Sequence, residues 1–222
     1  MRRCFLLWMV LAAASLNAQQ DLALVTKNYR FQDGIYLSFH SFQTDNPDLR
    51  WEEVEARWYT NPQTFVTQLE GLRLKNGKPG LSPDQIWGFS LQGIPYIRLS
   101  RDWIQKELAT FAPLQLRGKI CYFEFDRIDT TQVVITAYNP SNGLPFRRGV
   151  VDKQQEVSCP KILRFETGEV ADFNRENLIA WIADDPELVK AVRVLTEEEA
   201  KTKLFKSLLI YVDRNEVYIS GK

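Results

Sequence analysis

The sequence predicts an α+β fold in which a predominantly antiparallel β region, built from hairpins, is followed by C-terminal helices. Strand-like segments separated by turn residues occupy residues 25–173, and a helical pattern with clear start signals occupies residues 174–215. Because the strands come first and the helices afterwards, we expect a segregated α+β arrangement. Residues 19–222 are long enough to form a single globular domain without a disulfide scaffold.

Two hairpins stand out in the β region. The clearest joins residues 86–91 to residues 94–99 through Gln92-Gly93, where the glycine can adopt the positive φ of a tight turn. Pro95 cannot donate a ladder hydrogen bond, so its strand is expected at a sheet edge or to begin after the proline. A second hairpin is predicted around Glu166-Thr167-Gly168.

A long strand is predicted over residues 114–127, with a bend at its glycine. Cys121, Phe123 and Phe125 alternate along it and form a wholly apolar face, which we assign to the core. Residues 139–149 contain two prolines and two glycines, and this composition predicts a loop.

Start signals define three helices in the C-terminal part. Asn174 is a favourable N-cap, and Asp185 can cap a helix whose first residue is Pro186. Thr196 and Glu199 have the spacing of a capping box at the start of the third helix.

The first eighteen residues have the order of a secretory signal peptide. A basic start, Met1-Arg2-Arg3, precedes the apolar run Cys4–Ser15, and Ala18 is a plausible residue before the cleavage point. The run is shorter than the roughly 20 apolar residues of a membrane-spanning helix, and no later run is longer. We therefore expect residues 1–18 to be removed and the mature chain to be periplasmic or secreted, without a transmembrane segment.

This cleavage would lower the number of cysteines from three to two, because Cys4 lies in the segment that is removed. Cys121 and Cys159 then remain in an oxidising compartment, where they could form one disulfide. The alternative is two thiols that pack as small apolar side chains. The sequence leaves both alternatives open, since it does not show how far apart the two residues lie.

Charge and motifs exclude several function classes. The formal net charge is zero, and removal of Arg2 and Arg3 leaves −2, which argues against a nucleic-acid-binding protein. Zinc-protease, nucleophile-elbow and phosphate-loop motifs are absent from the sequence, so no metal or cofactor is expected. The only histidine, His40, is predicted at a strand end, where an ordinary structural role is far more common than catalysis.

Aromatic residues are the more suggestive group in the β region. They include Tyr36, Phe39, Trp51, Trp58, Trp87, Phe89, Tyr96 and Trp103. Such rings usually fill cores and form cross-strand pairs, but exposed rings on a rigid sheet can also stack on a ligand. Trp58, Trp87 and Tyr96 are our candidates for ligand binding.

Three motifs resemble a secreted protein family of Bacteroidota to which no activity is assigned. They are DGIYLSF at residues 33–39, IWGF at residues 86–89, and FNRENL at residues 173–178 leading to DDPEL at residues 184–188. The resemblance implies an envelope location, and it supplies no catalytic residues.

These observations favour a non-catalytic binding or envelope-associated protein whose partner is an envelope protein or a glycan. The alternative is a hydrolase that acts on envelope or host glycans or peptides, and it would require His40 or two carboxylates that converge in a cleft. The clustered acids Asp184-Asp185 and Glu197–Glu199 are expected at helix starts, where they complement the helix dipole.

Overall fold

The computed structural model describes residues 22–75, 80–104 and 106–220. The predicted leader, residues 1–18 with Cys4, lies outside the described residues. The α+β prediction is confirmed, since antiparallel sheets fill the first part of the described chain and three helices follow them. Within the described ranges, no helix has both the length and the apolar character that crossing a bilayer requires.

Eleven strands and five α-helices are described. The strands are β1 Leu22–Leu24, β2 Gly34–Tyr36, β3 Val54–Thr60, β4 Thr67–Leu74, β5 Gly88–Leu91, β6 Ile94–Arg98, β7 Ala109–Pro113, β8 Ile120–Tyr138, β9 Pro145–Arg164, β10 Val170–Asp172 and β11 Tyr218–Ser220. The helices are α1 Phe39–Gln43, α2 Arg101–Ile104, α3 Arg175–Trp181, α4 Pro186–Arg193 and α5 Glu197–Arg214. Short 3-10 turns occupy Trp51–Glu53 and Pro83–Gln85.

The main sheet has six antiparallel strands in the order β2-β5-β6-β7-β4-β3. Its β5–β6 hairpin confirms the prediction, because Gln92 and Gly93 both have positive φ, at 54° and 75°. The edge prediction for Pro95 is wrong, since β6 lies between β5 and β7. The missing donor is tolerated because the β6–β7 register begins at the next residue, Tyr96, and Leu114 N still donates to the Pro95 carbonyl at 2.8 Å.

A second sheet has the order β10-β9-β8 and contains an unusually long hairpin. Strands β8 and β9 are 19 and 20 residues long and pair over their whole length. The predicted loop 139–149 is therefore too long, because Pro145 begins β9 and only residues 139–144 form the turn. The predicted strand start at residue 114 is also wrong: β8 begins at Ile120, after Gly118 bends the chain with a φ of 154°.

The base of this hairpin lies between two apolar clusters. Cys121, Phe123 and Phe125 are buried as predicted, against the main sheet and the small β1–β11 sheet. Ile120 and Tyr122, on the opposite face, are also buried, against helices α3, α4 and α5. Both faces of β8 are thus buried here, one against the sheets and the other against the helices, so this strand packs between the two parts of the fold.

The predicted helix starts are confirmed at the level of single hydrogen bonds. The Asn174 side chain accepts from Asn177 N at 2.8 Å, and the Asp185 side chain accepts from Leu188 N at 3.0 Å. Thr196 and Glu199 form the reciprocal capping box. Each cap satisfies backbone donors that a helix start otherwise leaves unpaired.

Candidate functional site

The three aromatic residues singled out from the sequence lie in different environments. Tyr96 is only 8% exposed and stacks on Phe89, with ring centroids 4.7 Å apart. Trp58 is 41% exposed and packs against Trp51 at 5.3 Å. Trp87 is half-buried and stacks on the core residue Phe42. The structure therefore does not bring the three together, and Tyr96 belongs to the core.

Trp87 lines a cavity of about 410 Å³, which we call the Trp87 cavity. Its apolar walls come from the segment before β5, the ends of β6 and β7 with the residues beside them, helix α2 and strand β10. They comprise Trp87, Ile97, Leu99, Trp103, Ile104, Leu108, Ala109 and Val170. Its polar residues are Asp84, Arg98, Ser100 and Arg101. Elements from four parts of the chain thus contribute to one concave site.

The polar side of the Trp87 cavity is organised around Asp84. Ser82 caps the 3-10 turn Pro83–Gln85, in which Asp84 lies, by accepting a hydrogen bond from Asp84 N. Arg101 Nη2 lies 2.7 Å from Asp84 Oδ2, and Arg98 Nη1 donates to the Asp84 carbonyl. Arg101 thus pairs with the Asp84 carboxylate, whereas Arg98 bonds its backbone carbonyl. The lining therefore contains two guanidinium groups and one carboxylate, which leaves an excess of positive charge at the cavity.

The second indole of the cavity, Trp103, makes a cation–π contact with Lys161. Lys161 Nζ lies 4.7 Å from the Trp103 ring centroid and 2.6 Å from Asp172 Oδ1. The ring of Phe125 lies roughly parallel to Trp103 at 6.2 Å. Because a half-buried indole with these neighbours has little freedom to rotate, its orientation toward the cavity is set before any ligand binds.

A second polar group of residues connects the helices to the base of the long hairpin. Lys119 Nζ lies 2.9 Å from Asp184 Oδ2, and the Tyr211 hydroxyl donates to the same carboxylate. Burial and the bond to Asp184 raise the pKa of Tyr211 to about 12, and the bond to Asp184 raises that of Lys119. Burial acts to raise the pKa of Asp184, but its hydrogen bonds to Lys119 and Tyr211 outweigh this and lower it.

Two carboxylates, Glu124 and Asp126, line another cavity of about 430 Å³ beside Phe65. They are two residues apart on β8 and therefore extend from the same face of one strand. Glu124 is already engaged, since the hydroxyls of Tyr122 and Ser158 each donate to it at 2.6 Å. This arrangement does not place two carboxylates on opposite sides of a substrate, as glycoside hydrolysis requires.

His40 does not lie at a strand end, as predicted, but within the short helix α1. The helix forms because Ser38 and Ser41 make a capping box directly after β2. The His40 side chain is exposed and is not among the residues that line the Trp87 cavity. Among the residues that the structure describes, no group of three or more His, Cys, Asp or Glu side chains is arranged to hold a metal ion.

The two cysteines are separated by the register of the long hairpin. Cys121 pairs with Leu163, whereas Cys159 pairs with Phe125, four positions further along the strands. This offset corresponds to about 13 Å along the strand direction, and a disulfide requires Cα atoms within about 7 Å. Both thiols are free. Of the two alternatives that the sequence left open, the disulfide is therefore not formed in this structure, and both cysteines are free thiols.

The cavity residues that sequence reasoning missed are Arg98, Arg101 and Asp84. The arginines stand at the end of β6 and the start of α2, and Asp84 comes from a turn more than ten residues earlier. Comparison with known proteins adds nothing to this site: no protein-family model, no curated protein and no solved structure matches the chain. The resemblance to secreted Bacteroidota proteins stays a prediction.

Proposed function

We propose that this chain is a non-catalytic binding protein of the bacterial envelope or exterior, and that the Trp87 cavity is its ligand site. The observation that carries the proposal is the placement of two indoles and two guanidinium groups around one cavity of about 410 Å³. Apolar walls with a few oriented polar groups are typical of small-molecule sites. The signal-like residues 1–18 and the resemblance to secreted proteins support the location.

An acidic glycan segment is the ligand class that we propose. Trp87 and Trp103 offer large, rigid apolar surfaces on which the C–H faces of sugar rings can pack. The planar guanidinium group of Arg101 matches the geometry of a carboxylate and can bind it through two parallel hydrogen bonds. The Asp84 carboxylate and the Ser100 hydroxyl can accept hydrogen bonds from sugar hydroxyls.

The existing ion pair between Arg101 and Asp84 does not block this role. Its side chains are 63% and 49% exposed, respectively. Exposed ion pairs contribute only about 0–1 kcal/mol to stability. A ligand carboxylate can therefore replace Asp84 at the Arg101 guanidinium group with little energetic cost, and Asp84 is then free for the ligand hydroxyls.

Hydrolysis of a glycan receives less support from the geometry. The carboxylates of Glu124 and Asp126 extend from one face of β8, and His40 lies outside the cavities that contain the other candidate residues. The Trp87 cavity has a single carboxylate among its lining residues, Asp84. Binding without turnover is therefore the function that we propose.

Titration with trigalacturonate, followed by tryptophan fluorescence and calorimetry, tests the proposal. We expect saturable binding to the wild-type chain and at least a tenfold loss of affinity in Arg101→Met, which keeps an unbranched apolar stem but removes the guanidinium group and its charge. Trp58→Ala is the matched control, because Trp58 does not line the cavity. Trp87→Ala is less informative, since its stacking on Phe42 makes a loss of stability equally expected.

Two further probes distinguish the ligand class. Equal binding of maltotriose, a neutral sugar, would show that the arginines do not select for charge and would overturn the acidic part of the proposal. Binding of decanoate without binding of the sugar acid would replace the glycan by an aliphatic carboxylate. If neither Arg101→Met nor Trp87→Ala alters binding of trigalacturonate, the Trp87 cavity is not the site.

A further inference from the structure

The outer part of the long hairpin extends beyond the core as a two-stranded ribbon. We call this part, residues 128–156, the arm. Its strands pair with each other throughout, and β10 joins the sheet only beside residues 161–163 of β9, outside the arm. No arm residue belongs to any of the three buried clusters. The eleven β8 residues from Ile128 to Tyr138 span about 35 Å at the usual rise of a strand.

The arm carries many apolar side chains that nothing in the described chain covers. Val134 is 68% exposed and Phe146 is 69% exposed. The complete set of large exposed apolar residues is Ile128, Val134, Ile135, Tyr138, Leu144, Phe146, Val150 and Val151. An isolated two-stranded hairpin is marginally stable in water, and further strands are usually needed to stabilise it.

The two edges of the arm differ in charge. On β8, the nine residues Thr130–Tyr138 contain no charged residue and no proline. On β9, the corresponding part contains Arg147, Arg148, Asp152 and Lys153. Charged side chains and prolines are the usual means by which natural sheets prevent another strand from pairing with an open edge. The β8 edge lacks this protection, so it is the edge to which a strand can add.

The β8 edge is also complementary to itself. If two copies of β8 pair antiparallel about Val134, that residue lies opposite its own copy, and Val133 lies opposite Ile135. Gln132 then faces Thr136, so apolar residues meet apolar residues and polar residues meet polar ones. The β9 edge cannot pair with itself in this way without bringing its charged residues into the ladder.

We infer that two copies of this chain associate through the β8 edges of their arms, which form a continuous four-stranded antiparallel sheet. The two-fold axis passes beside Val134, so the interface uses the same surface on both copies. Each arm thereby gains the additional strands that a two-stranded ribbon lacks. This association is independent of the Trp87 cavity, which lies among other elements of the chain.

Light scattering and sedimentation of the purified chain test the inference over a range of protein concentrations. We expect a concentration-dependent dimer for the wild type. Val134→Lys and Val134→Glu should each be monomeric, because either change places like charges opposite each other at the axis. Since opposite charges then meet, an equimolar mixture of the two variants should restore the dimer.

Val150→Lys is the matched control, because Val150 lies opposite Val134 on the same face of the arm but on β9, the strand that lies away from the new interface. It should remain dimeric, and circular dichroism should show that all three variants stay folded, since both positions are exposed. A wild type that is monomeric at every concentration overturns the inference. So does a mixture that stays monomeric, or a Val150→Lys variant that dissociates as fully as Val134→Lys.

Discussion

The Tyr211 hydroxyl donates to Asp184 from the C-terminal half of α5, with distances of 2.8 and 3.0 Å to the two carboxylate oxygens. Tyr211 is buried, whereas Asp184 lies in the exposed turn before α4. Lys119, which precedes β8, completes the group. One carboxylate therefore links three separate parts of the chain at the boundary between sheet and helices.

Replacing Tyr211 by Phe tests how much this link contributes. We expect a loss of about 1 kcal/mol in the free energy of unfolding at neutral pH, the usual size for one hydrogen bond. The pKa of Tyr211 is raised from 10.0 to about 12, so its contribution is complete below about pH 10 and is lost as the pH rises toward 12.

The difference in stability between wild type and Tyr211→Phe, measured by urea unfolding, should therefore shrink between about pH 10 and 12. Using the difference is essential, because burial also raises the pKa of other tyrosines such as Tyr36. A difference that stays constant across this pH range would contradict the role given to the Tyr211 hydroxyl.

Glu199 provides a test at acid pH. Its bond to Lys203, at 2.6 Å, and its capping bonds to Thr196 lower its pKa from 4.5 to about 2. A lowered pKa means that the stabilisation is complete above about pH 4.5 and is lost as the pH falls toward 2. Glu199→Gln should therefore show a weaker dependence of thermal unfolding on pH in this range.

Glu198→Gln is the control for that experiment. Glu198 is the neighbouring acid and pairs with Lys201 at 2.8 Å, but the capping bonds to Thr196 are made by Glu199. We expect this variant to keep the acid dependence of the wild type. If both variants respond alike, the effect comes from the general charge of the helix start and not from the capping box.

The thiols should differ in reactivity. Burial raises the pKa of Cys121 to about 12, which suppresses the thiolate that reacts with disulfide reagents. Cys159 is only half-buried and should react in the folded chain. For a chain without residues 1–18, we expect two free thiols in denaturant without reductant, of which Cys121 reacts only on unfolding. Cys159→Ala identifies which thiol reacts first, and a count of zero would contradict the free-thiol assignment.

Replacement of Gly118 by a residue with a Cβ atom should lower the free energy of unfolding. Its φ is 154°, and a Cβ atom there would lie 2.4 Å from Val212 Cγ1 of α5. Gly118→Ala should therefore cost about 1–3 kcal/mol through strain and overpacking. Gly149→Ala is the matched control, since a Cβ atom at that position would meet nothing within 4 Å and its effect on chemical unfolding should be small. Equal effects of the two changes would rule out the contact with Val212.

The features that the sequence predicted correctly depend on local signals. Asn174, Asp185 and Thr196 each cap a helix within three residues of their own position, and Gln92-Gly93 forms its turn from two adjacent residues. Such features can be recognised because the physical cause and its effect lie in the same short segment.

The candidate site and the arm depend on relationships over longer distances. The pairing of Arg101 with Asp84 is created when α2 packs beside a turn 17 residues away, and neither residue type signals it. Pro145 is typical of loops, yet here it opens an exposed strand, where its missing donor costs little. Both features follow from tertiary placement, which a single sequence pattern does not contain.

The pairing of β1 with β11 has a consequence for the order of assembly. Leu22 lies opposite Ser220, and Val25 N donates to the Val217 carbonyl at 2.9 Å, so this small sheet closes almost the whole described chain into a loop. Closing so long a loop carries a large entropic cost, and contacts at this separation form late. A chain emerging from a ribosome or a translocation channel can thus complete the β1–β11 sheet only after β11 has been released.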